Sequence, residues 1–216
     1  MSIFAYWDRL ETGATVHPDD LAILGHCEHA FQTDLPPGHI SGPLRSAPVV
    51  LCYGNPGYDD ADRLAAKDPA KRALLTNQMS GTDPYPMWLP GWQKWIAERT
   101  KQINLPSEIL SHTVATFNVV PYASVRMSDA QNRIAARLPS VHAARRYLHQ
   151  TLIPRAQKGE IFLVIVRKHR LWQVDDVTAC RTLRLPRNIY VGGALGGIGR
   201  EIRSWLDDSG RLEHAL

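Results

Sequence analysis

Two asparagines carry side-chain amides at places where a sheet would expose them for chemistry. Asn55 stands in a turn with Gly54, Pro56 and Gly57, directly after the apolar run PVVLCY at 48–53. The glycines permit a tight backbone path and the proline stiffens it, so this turn would present the Asn55 amide at the end of a strand. An Asn-Pro-Gly sequence is also typical of plain structural turns, and this alternative stays open.

The second amide, Asn118, lies inside the apolar, β-branched run HTVATFNVV at 112–120. An amide buried there without a hydrogen-bond partner would cost roughly 1–3 kcal/mol, so we expect it to be satisfied. The amide offers an acceptor and two donors side by side, which matches the Watson–Crick edge of a nucleic acid base. A hydrogen bond to neighbouring backbone would satisfy it equally well.

Aromatic residues alternate with prolines between these two amides, in the segment DPYPMWLPGW at 83–92. Such a segment is stiff, and an exposed ring on it could stack against a base. We expect Trp88 or Tyr85 to provide this ring. Trp92 and Trp95 belong to the helical pattern that follows, and we expect both in the core.

Positive charge is concentrated in the C-terminal half of the chain. The formal net charge is +4, and the sequence RKHR at 167–170 follows the apolar run IFLVIV at 161–166. Arginine is the residue best suited to bidentate contact with phosphate. A glycine-rich loop, GGALGGIG at 192–199, then opens a helix that carries Arg200, and its backbone N–H groups could face an anion. No register of this loop fits a dinucleotide-binding or P-loop pattern. A solvated basic face and a structural turn are the plain alternatives.

Four short apolar runs rich in β-branched residues predict four strands, and the segments between them have helical spacing. The run at 161–166 is apolar at every position, as expected of a central parallel strand covered on both faces. Strands that alternate with helices favour an α/β fold of three layers, α/β/α, with a central, mainly parallel four-stranded sheet. In such sheets ligands bind at the carboxyl ends of the strands. The predicted strands are 48–53, 112–120, 161–166 and 188–191, and the predicted helices are 59–75, 92–103, 140–156 (with Ser140 as its N-cap) and 198–206.

The chain has 216 residues with a hydrophobic fraction of 44%, which fits one domain with residues 1–45 as an irregular lead-in packed on it. No apolar run reaches the roughly 18 residues needed to cross a bilayer, and Asp8 and Glu11 interrupt any signal peptide. Three widely spaced cysteines exclude a disulfide framework, and the sequence HCEH at 26–29 lacks a second group at zinc spacing. We therefore expect a cytosolic protein without metal, cofactor, membrane association or obligate protein partner.

In their order along the chain, these segments resemble the uracil-DNA glycosylase superfamily. Branches with an Asn-Pro-Gly first motif match Asn55-Pro56-Gly57, and members with an asparagine in the second motif place it in a strand much like FNVV at 117–120. The similarity covers about residues 47–206. It implies hydrolysis of the N-glycosidic bond of a nucleotide that is flipped out of DNA.

The resemblance also implies roles for individual residues. Asn55 would position the attacking water, Asn118 would read the pyrimidine edge, and Leu195 would insert into the duplex. The last motif of the superfamily has His or Asn before Pro-Ser, and this His or Asn stabilises the departing base. This chain has GGA at 192–194 instead, so His169, Lys168 or Arg167 is expected to take over that role. We assign catalysis to Asn55 and His169, base binding to Gly54, Pro56, Gly57, Tyr58, Trp88 and Asn118, and DNA contacts to Arg167, Lys168, Arg170, Gly193, Leu195 and Arg200.

Position 57 bears on which base would be accepted. In the strict uracil branch, a tyrosine two places after the water-positioning residue closes the pocket against substituents at C5, and here that place is Gly57. The resemblance therefore implies a DNA glycosylase for a modified or 5-substituted pyrimidine, in repair or in defence against foreign DNA. Two alternatives stay open: a non-catalytic nucleic-acid-binding module on the same scaffold, and a hydrolase of free nucleosides or nucleotides.

Overall fold

A mainly parallel sheet lies between two layers of helices in the computed structural model, which describes residues 2–58, 60–186 and 195–212. Within these residues the sheet has five strands in the order β1-β3-β2-β4-β5, and only β1 runs antiparallel to its neighbour. The predicted α/β class is confirmed. The strands are β1 (Ile40–Ser41), β2 (Val49–Tyr53), β3 (Val114–Asn118), β4 (Phe162–Ile165) and β5 (Leu183–Arg184). The helices are α1 (Ile3–Trp7), α2 (Pro18–Leu24), α3 (Asp60–Ala65), α4 (Pro69–Asn77), α5 (Pro90–Thr100), α6 (Ser107–Thr113), α7 (Asp129–Ala135), α8 (Pro139–Tyr147), α9 (Ile153–Gln157), α10 (His169–Trp172) and α11 (Gly197–Asp208).

The number of strands differs from the prediction of four. Three predicted strands are present as β2, β3 and β4, whereas the predicted strand at 188–191 lies outside the described residues. The sequence analysis missed β1 and β5, which have two residues each. Two residues are too few to show a periodic pattern, so strands of this length leave no signal in the sequence.

Alternation along the central strands divides the core into two halves. In β2, Val50 and Cys52 belong to one half, while Val49 and Leu51 belong to the other. The first half is covered by α1, α7, α8 and α9, and the second by α5, α6 and α11. Every residue of β2, β3 and β4 is buried, as expected for strands covered on both faces. None of the helices in the described residues is long and apolar enough to cross a membrane.

The first 45 residues are tied to the rest of the chain by a buried carboxylate. Asp20 is fully buried, and it accepts hydrogen bonds from the Tyr122 hydroxyl at 2.6 Å, the Ser140 backbone N–H at 2.9 Å and the Tyr6 hydroxyl at 3.4 Å. A buried charge is tolerated only where such donors surround it. The lead-in also provides β1, which pairs with β3 and forms the edge strand on that side of the sheet.

Two predicted helices begin or end elsewhere for identifiable reasons. The predicted helix at 59–75 is divided into α3 and α4, because Pro69 cannot continue a helix but suits the first position of a new one. The predicted helix at 140–156 begins one residue earlier, as α8, and continues through a π-helical turn into α9. Ser140 is therefore not its N-cap, and its backbone N–H donates to the distant Asp20.

Candidate functional site

A cavity of about 190 Å³ opens at the carboxyl ends of β2 and β3, and both predicted amides line it. Asn118 is the last residue of β3 and pairs in register with Tyr53, the last residue of β2, so that Asn55 follows on the neighbouring strand. At roughly 30 Å³ of liquid volume for each water molecule, the cavity has room for about six waters, or for a small ring in their place. Its lining consists of Ser41, Asn55, Pro56, Gly57, Tyr58, Tyr85, Gly91, Trp92, Trp95, Thr116 and Asn118.

The amide of Asn118 is held in one orientation by the backbone of the lead-in. Its Nδ2 donates to the Gly38 carbonyl at 2.7 Å, and its backbone N–H donates to the His39 carbonyl at 2.8 Å. Turning the amide over would bring two oxygens together, so the Gly38 carbonyl fixes which atom is Oδ1. No donor among the described residues reaches Oδ1. Asn118 therefore offers the cavity one acceptor and one remaining N–H.

The amide of Asn55 is fixed in the same way, from its donor side. Its Nδ2 donates to the Pro56 carbonyl at 2.7 Å and to the Ser124 hydroxyl oxygen at 3.0 Å. Both hydrogens of Nδ2 are thereby used, which leaves Oδ1 as the atom that can accept a hydrogen bond from a ligand or a water.

Aromatic rings form part of the cavity wall. Tyr85, Trp92 and Trp95 line the cavity, and Trp95 meets the Tyr53 ring edge-on with centroids 5.0 Å apart. Trp92 and Trp95, which were expected only in the core, are half-buried and serve both the core and the cavity. Trp88, which was expected to stack on the base, is 41% exposed and lies outside the cavity lining.

Two glycines of the first turn have different surroundings. A Cβ atom added to Gly54 would lie 2.8 Å from Cγ of Lys168, so this position needs glycine for close packing. A Cβ atom added to Gly57 would meet nothing within 4 Å, and Gly57 opens on the cavity. Tyr58 lines the same cavity, but its hydroxyl donates to the Asp60 carboxylate at 3.1 Å, which holds the ring at the rim.

No histidine, carboxylate, lysine or cysteine lines the cavity among the described residues, and its titratable groups are the phenols of Tyr58 and Tyr85. His169 begins α10, where its Nε2 contacts the Ile165 carbonyl at 2.8 Å, and it is not part of the cavity lining. The structure thus does not bring His169 to Asn55 and Asn118. The polar lining is neutral. Ser41 and Thr116 join the two amides and the two tyrosines, and neither Ser41 nor Thr116 was predicted from the sequence.

A second, larger cleft of about 430 Å³ adjoins the cavity and is lined by cations. The two share Asn55, Gly57 and Trp95, so one ligand can occupy both. Arg167 and Lys168, predicted from the sequence, line this cleft together with Arg99 and Arg126, which were not predicted. We call this the cationic cleft.

Lys168 has an unusual backbone conformation at the edge of the cationic cleft. Its φ is 63°, and its Nζ donates to Oδ1 of Asn132 at 3.0 Å. Burial lowers the pKa of Lys168, the nearby Arg167 lowers it further, and Asp129 opposes them. A non-glycine residue held at positive φ marks a position fixed by its surroundings.

The other predicted DNA contacts are dispersed. Arg170 is exposed outside the cavities described above, and Arg200 lies in a separate cavity beside Glu201 and Asp208. Gly193 lies outside the described residues. Leu195, which was expected to insert into the duplex, is 3% exposed and packs in the second half of the core. Insertion would require Leu195 to leave that core.

Metal ligands do not gather in the part of the chain that the structure describes, where no three His, Cys, Asp or Glu side chains come together. Comparison of the chain with protein-family models, with curated proteins and with solved structures finds no match. The site geometry therefore carries the functional argument by itself.

Proposed function

We propose that this protein is a DNA glycosylase that hydrolyses the N-glycosidic bond of a pyrimidine nucleotide flipped out of DNA. The observation that carries the proposal is the joint placement of Asn55 and Asn118 in one cavity that aromatic rings also line, beside the cationic cleft. Flat rings, an amide edge and a nearby positive field are what a base with its phosphates requires.

The base would lie between the amides and the aromatic wall. Asn118 would bind its Watson–Crick edge with the acceptor Oδ1 and the remaining N–H, and Trp92 and Trp95 would supply apolar faces. Because the Gly38 carbonyl fixes the amide, the order of acceptor and donor is fixed too. The cavity would therefore distinguish uracil-type from cytosine-type edges, whose donors and acceptors are reversed.

Hydrolysis would proceed with a water that Asn55 orients through Oδ1. The water oxygen forms a bond to the sugar C1′, the glycosidic C–N bond breaks, and its electron pair leaves with the base. The proton released by the water passes to solvent or to the departing base. Since the described lining is neutral, the acceleration would come from positioning and from hydrogen bonds to the departing base.

The neutral lining also favours one alternative, a binding module that holds a flipped base without hydrolysing it. The two functions differ in a single product, the abasic site. We place either activity in the cytosol, where the three free cysteines stay reduced, and in repair or in defence against foreign DNA.

The test is excision from single-stranded and duplex oligonucleotides that each contain one uracil, thymine, cytosine or 5-modified pyrimidine. Abasic sites are detected by alkaline strand cleavage. Asn55→Ala should lower the excision rate at least about 100-fold, because the water loses its orientation. Asn77→Ala, at an exposed asparagine at the end of α4 outside both cavity linings, is the matched control and should keep the wild-type rate. Binding without abasic sites across the panel would establish the binding module instead.

A further inference from the structure

Two buried hydrogen-bond donors in the cationic cleft have no acceptor. The Tyr53 hydroxyl and the Arg99 Nε are both buried, and neither has a hydrogen-bond partner in the described structure. Tyr53 as a whole is 6% exposed, and both residues line the cleft. A buried donor without an acceptor costs about 1–3 kcal/mol, and native structures seldom retain two such donors in one cleft without a reason.

The cleft also concentrates positive charge that no carboxylate neutralises. Arg99, Arg126, Arg167 and Lys168 line it, and none of them forms an ion pair within 4.0 Å among the described residues. The nearest carboxylates that act on them, Glu98 and Asp129, are both exposed on the surface. Four cations around one cleft repel each other, so an anion bound there would be strongly favoured.

The Arg99 guanidinium is held in place for such an anion. It lies over the Trp95 ring at 4.0 Å from the centroid, and its Nη1 donates to the Trp95 carbonyl at 3.0 Å. Burial raises the pKa of the Tyr53 hydroxyl, and the charges of Arg99 and Arg167 lower it, so both guanidinium groups act on that hydroxyl. The Tyr53 hydroxyl, the Arg99 Nε and Arg167 therefore belong to one cleft.

We propose that the cationic cleft is a phosphate-binding site, in which Tyr53, Arg99 and Arg167 bind the phosphate of the nucleotide whose base enters the adjacent cavity. Arginine suits the tetrahedral oxygens of phosphate, and a neutral hydroxyl adds a donor without further charge. That the ligand is a nucleotide rests on the proposed function, because the two cavities share Asn55, Gly57 and Trp95. The phosphate belongs to a free nucleotide or to a strand.

The discriminating variant is Tyr53→Phe, which removes only the hydroxyl. Without ligand, the variant should be as stable as the wild type or more stable, because an unsatisfied buried donor is lost. With pyrophosphate as the probe, its dissociation constant should rise about 10-fold or more, since a hydrogen bond to a charged acceptor is lost. A purely structural tyrosine would give the opposite pattern, with lower stability and unchanged affinity.

Arg99→Gln provides a second variant, and Arg146→Gln, on the exposed face of α8, is its control for the loss of one charge. Calorimetry with pyrophosphate, a pyrimidine nucleoside 5′-monophosphate and a ten-nucleotide strand completes the experiment. Arg99→Gln should weaken binding of the probes, while Arg146→Gln should leave pyrophosphate binding unchanged. If Arg99→Gln loses more affinity for the monophosphate than for the strand, the bound phosphate is that of a free nucleotide. If it loses more affinity for the strand, the phosphate is that of DNA.

The phosphate site and the glycosylase can fail separately. If the wild type does not bind pyrophosphate at millimolar concentration, or if Tyr53→Phe and Arg99→Gln bind all three probes as well as the wild type, the phosphate site is refuted. Abasic sites formed by these variants at the wild-type rate would then still support the glycosylase. Phosphate binding that depends on Tyr53 and Arg99, without abasic sites, would support the site and refute the glycosylase.

Discussion

Replacing Gly57 by tyrosine tests whether this position sets the choice of base. The backbone of Gly57 is outside the left-handed region, and an added Cβ atom would meet nothing within 4 Å, so the chain accepts a side chain there. Because Gly57 lines the cavity of about 190 Å³, a phenol ring on it can enter the space beside the base. In the proposed function, the wild type leaves that space open to a substituent at C5 of the bound pyrimidine.

The size of the effect follows from how strongly a pocket can reject a small group. One methyl group in a closed pocket is worth about 1–3 kcal/mol, which is a factor of roughly 10–200 in rate. Gly57→Tyr should therefore lower excision of 5-methyl and 5-hydroxymethyl pyrimidines by that factor relative to uracil. Gly57→Ala adds only a methyl group at the rim, and it should leave the ratio of the two rates near the wild-type value.

The assay is single-turnover excision, with enzyme in excess over oligonucleotides that differ only at C5 of one base. The ratio of the two rate constants cancels any general loss of folding or DNA binding. Equal losses on both substrates would refute the reasoning. So would a wild type that excises uracil alone, because Gly57 would then be no more than a turn residue.

Three predictions concern stability and are measured by urea unfolding. Asp20→Ala should lower the free energy of unfolding by about 3 kcal/mol or more, since the Tyr122 hydroxyl and other buried donors lose their acceptor; a loss below 1 kcal/mol would contradict this. Burial lowers the pKa of His39 to about 3, so the folded protein should lose stability as the pH falls from about 6.5, where the unfolded chain takes up a proton, towards about 3. His39→Phe should remove that part of the loss, and an unchanged pH profile would show that another group causes it. Gly81→Ala should destabilise by about 2 kcal/mol or more, because φ is 67° and the new Cβ atom would lie 2.4 Å from the Phe4 ring; a neutral effect would mean that this ring moves freely.

The central part of the fold could be predicted because its signals are local. β2, β3 and β4 are runs of apolar, β-branched residues, and each is long enough to show its pattern. Asn118 could be identified because a polar residue inside such a run requires a partner. Asn55 could be identified because proline and glycine fix the turn around it.

The rest of the site has no local signal. Arg99 is one of many arginines on helix surfaces, and only the packing of α5 beside the end of β2 brings it to Tyr53. Ser41 belongs to a two-residue strand whose pairing with β3 depends on residues about 75 positions away. Leu195, which was expected to insert into the duplex, lies beside α5 and packs in the core. Such features depend on long-range contacts that a single sequence does not contain.

The bonds of Asp20 have a consequence for the order in which the chain folds during synthesis. The groups that surround this carboxylate, at Tyr122 and Ser140, are translated more than a hundred residues after it. At about 5–20 residues per second, the N-terminal segment waits roughly 5–25 seconds on the ribosome before its partners emerge. During that interval the apolar side chains of α1 are exposed, and the Gly38 carbonyl cannot yet accept its hydrogen bond from Asn118. The cavity at the ends of β2 and β3 is therefore completed late in synthesis, and slow translation between residues 21 and 140 would lengthen the period in which the nascent chain can aggregate.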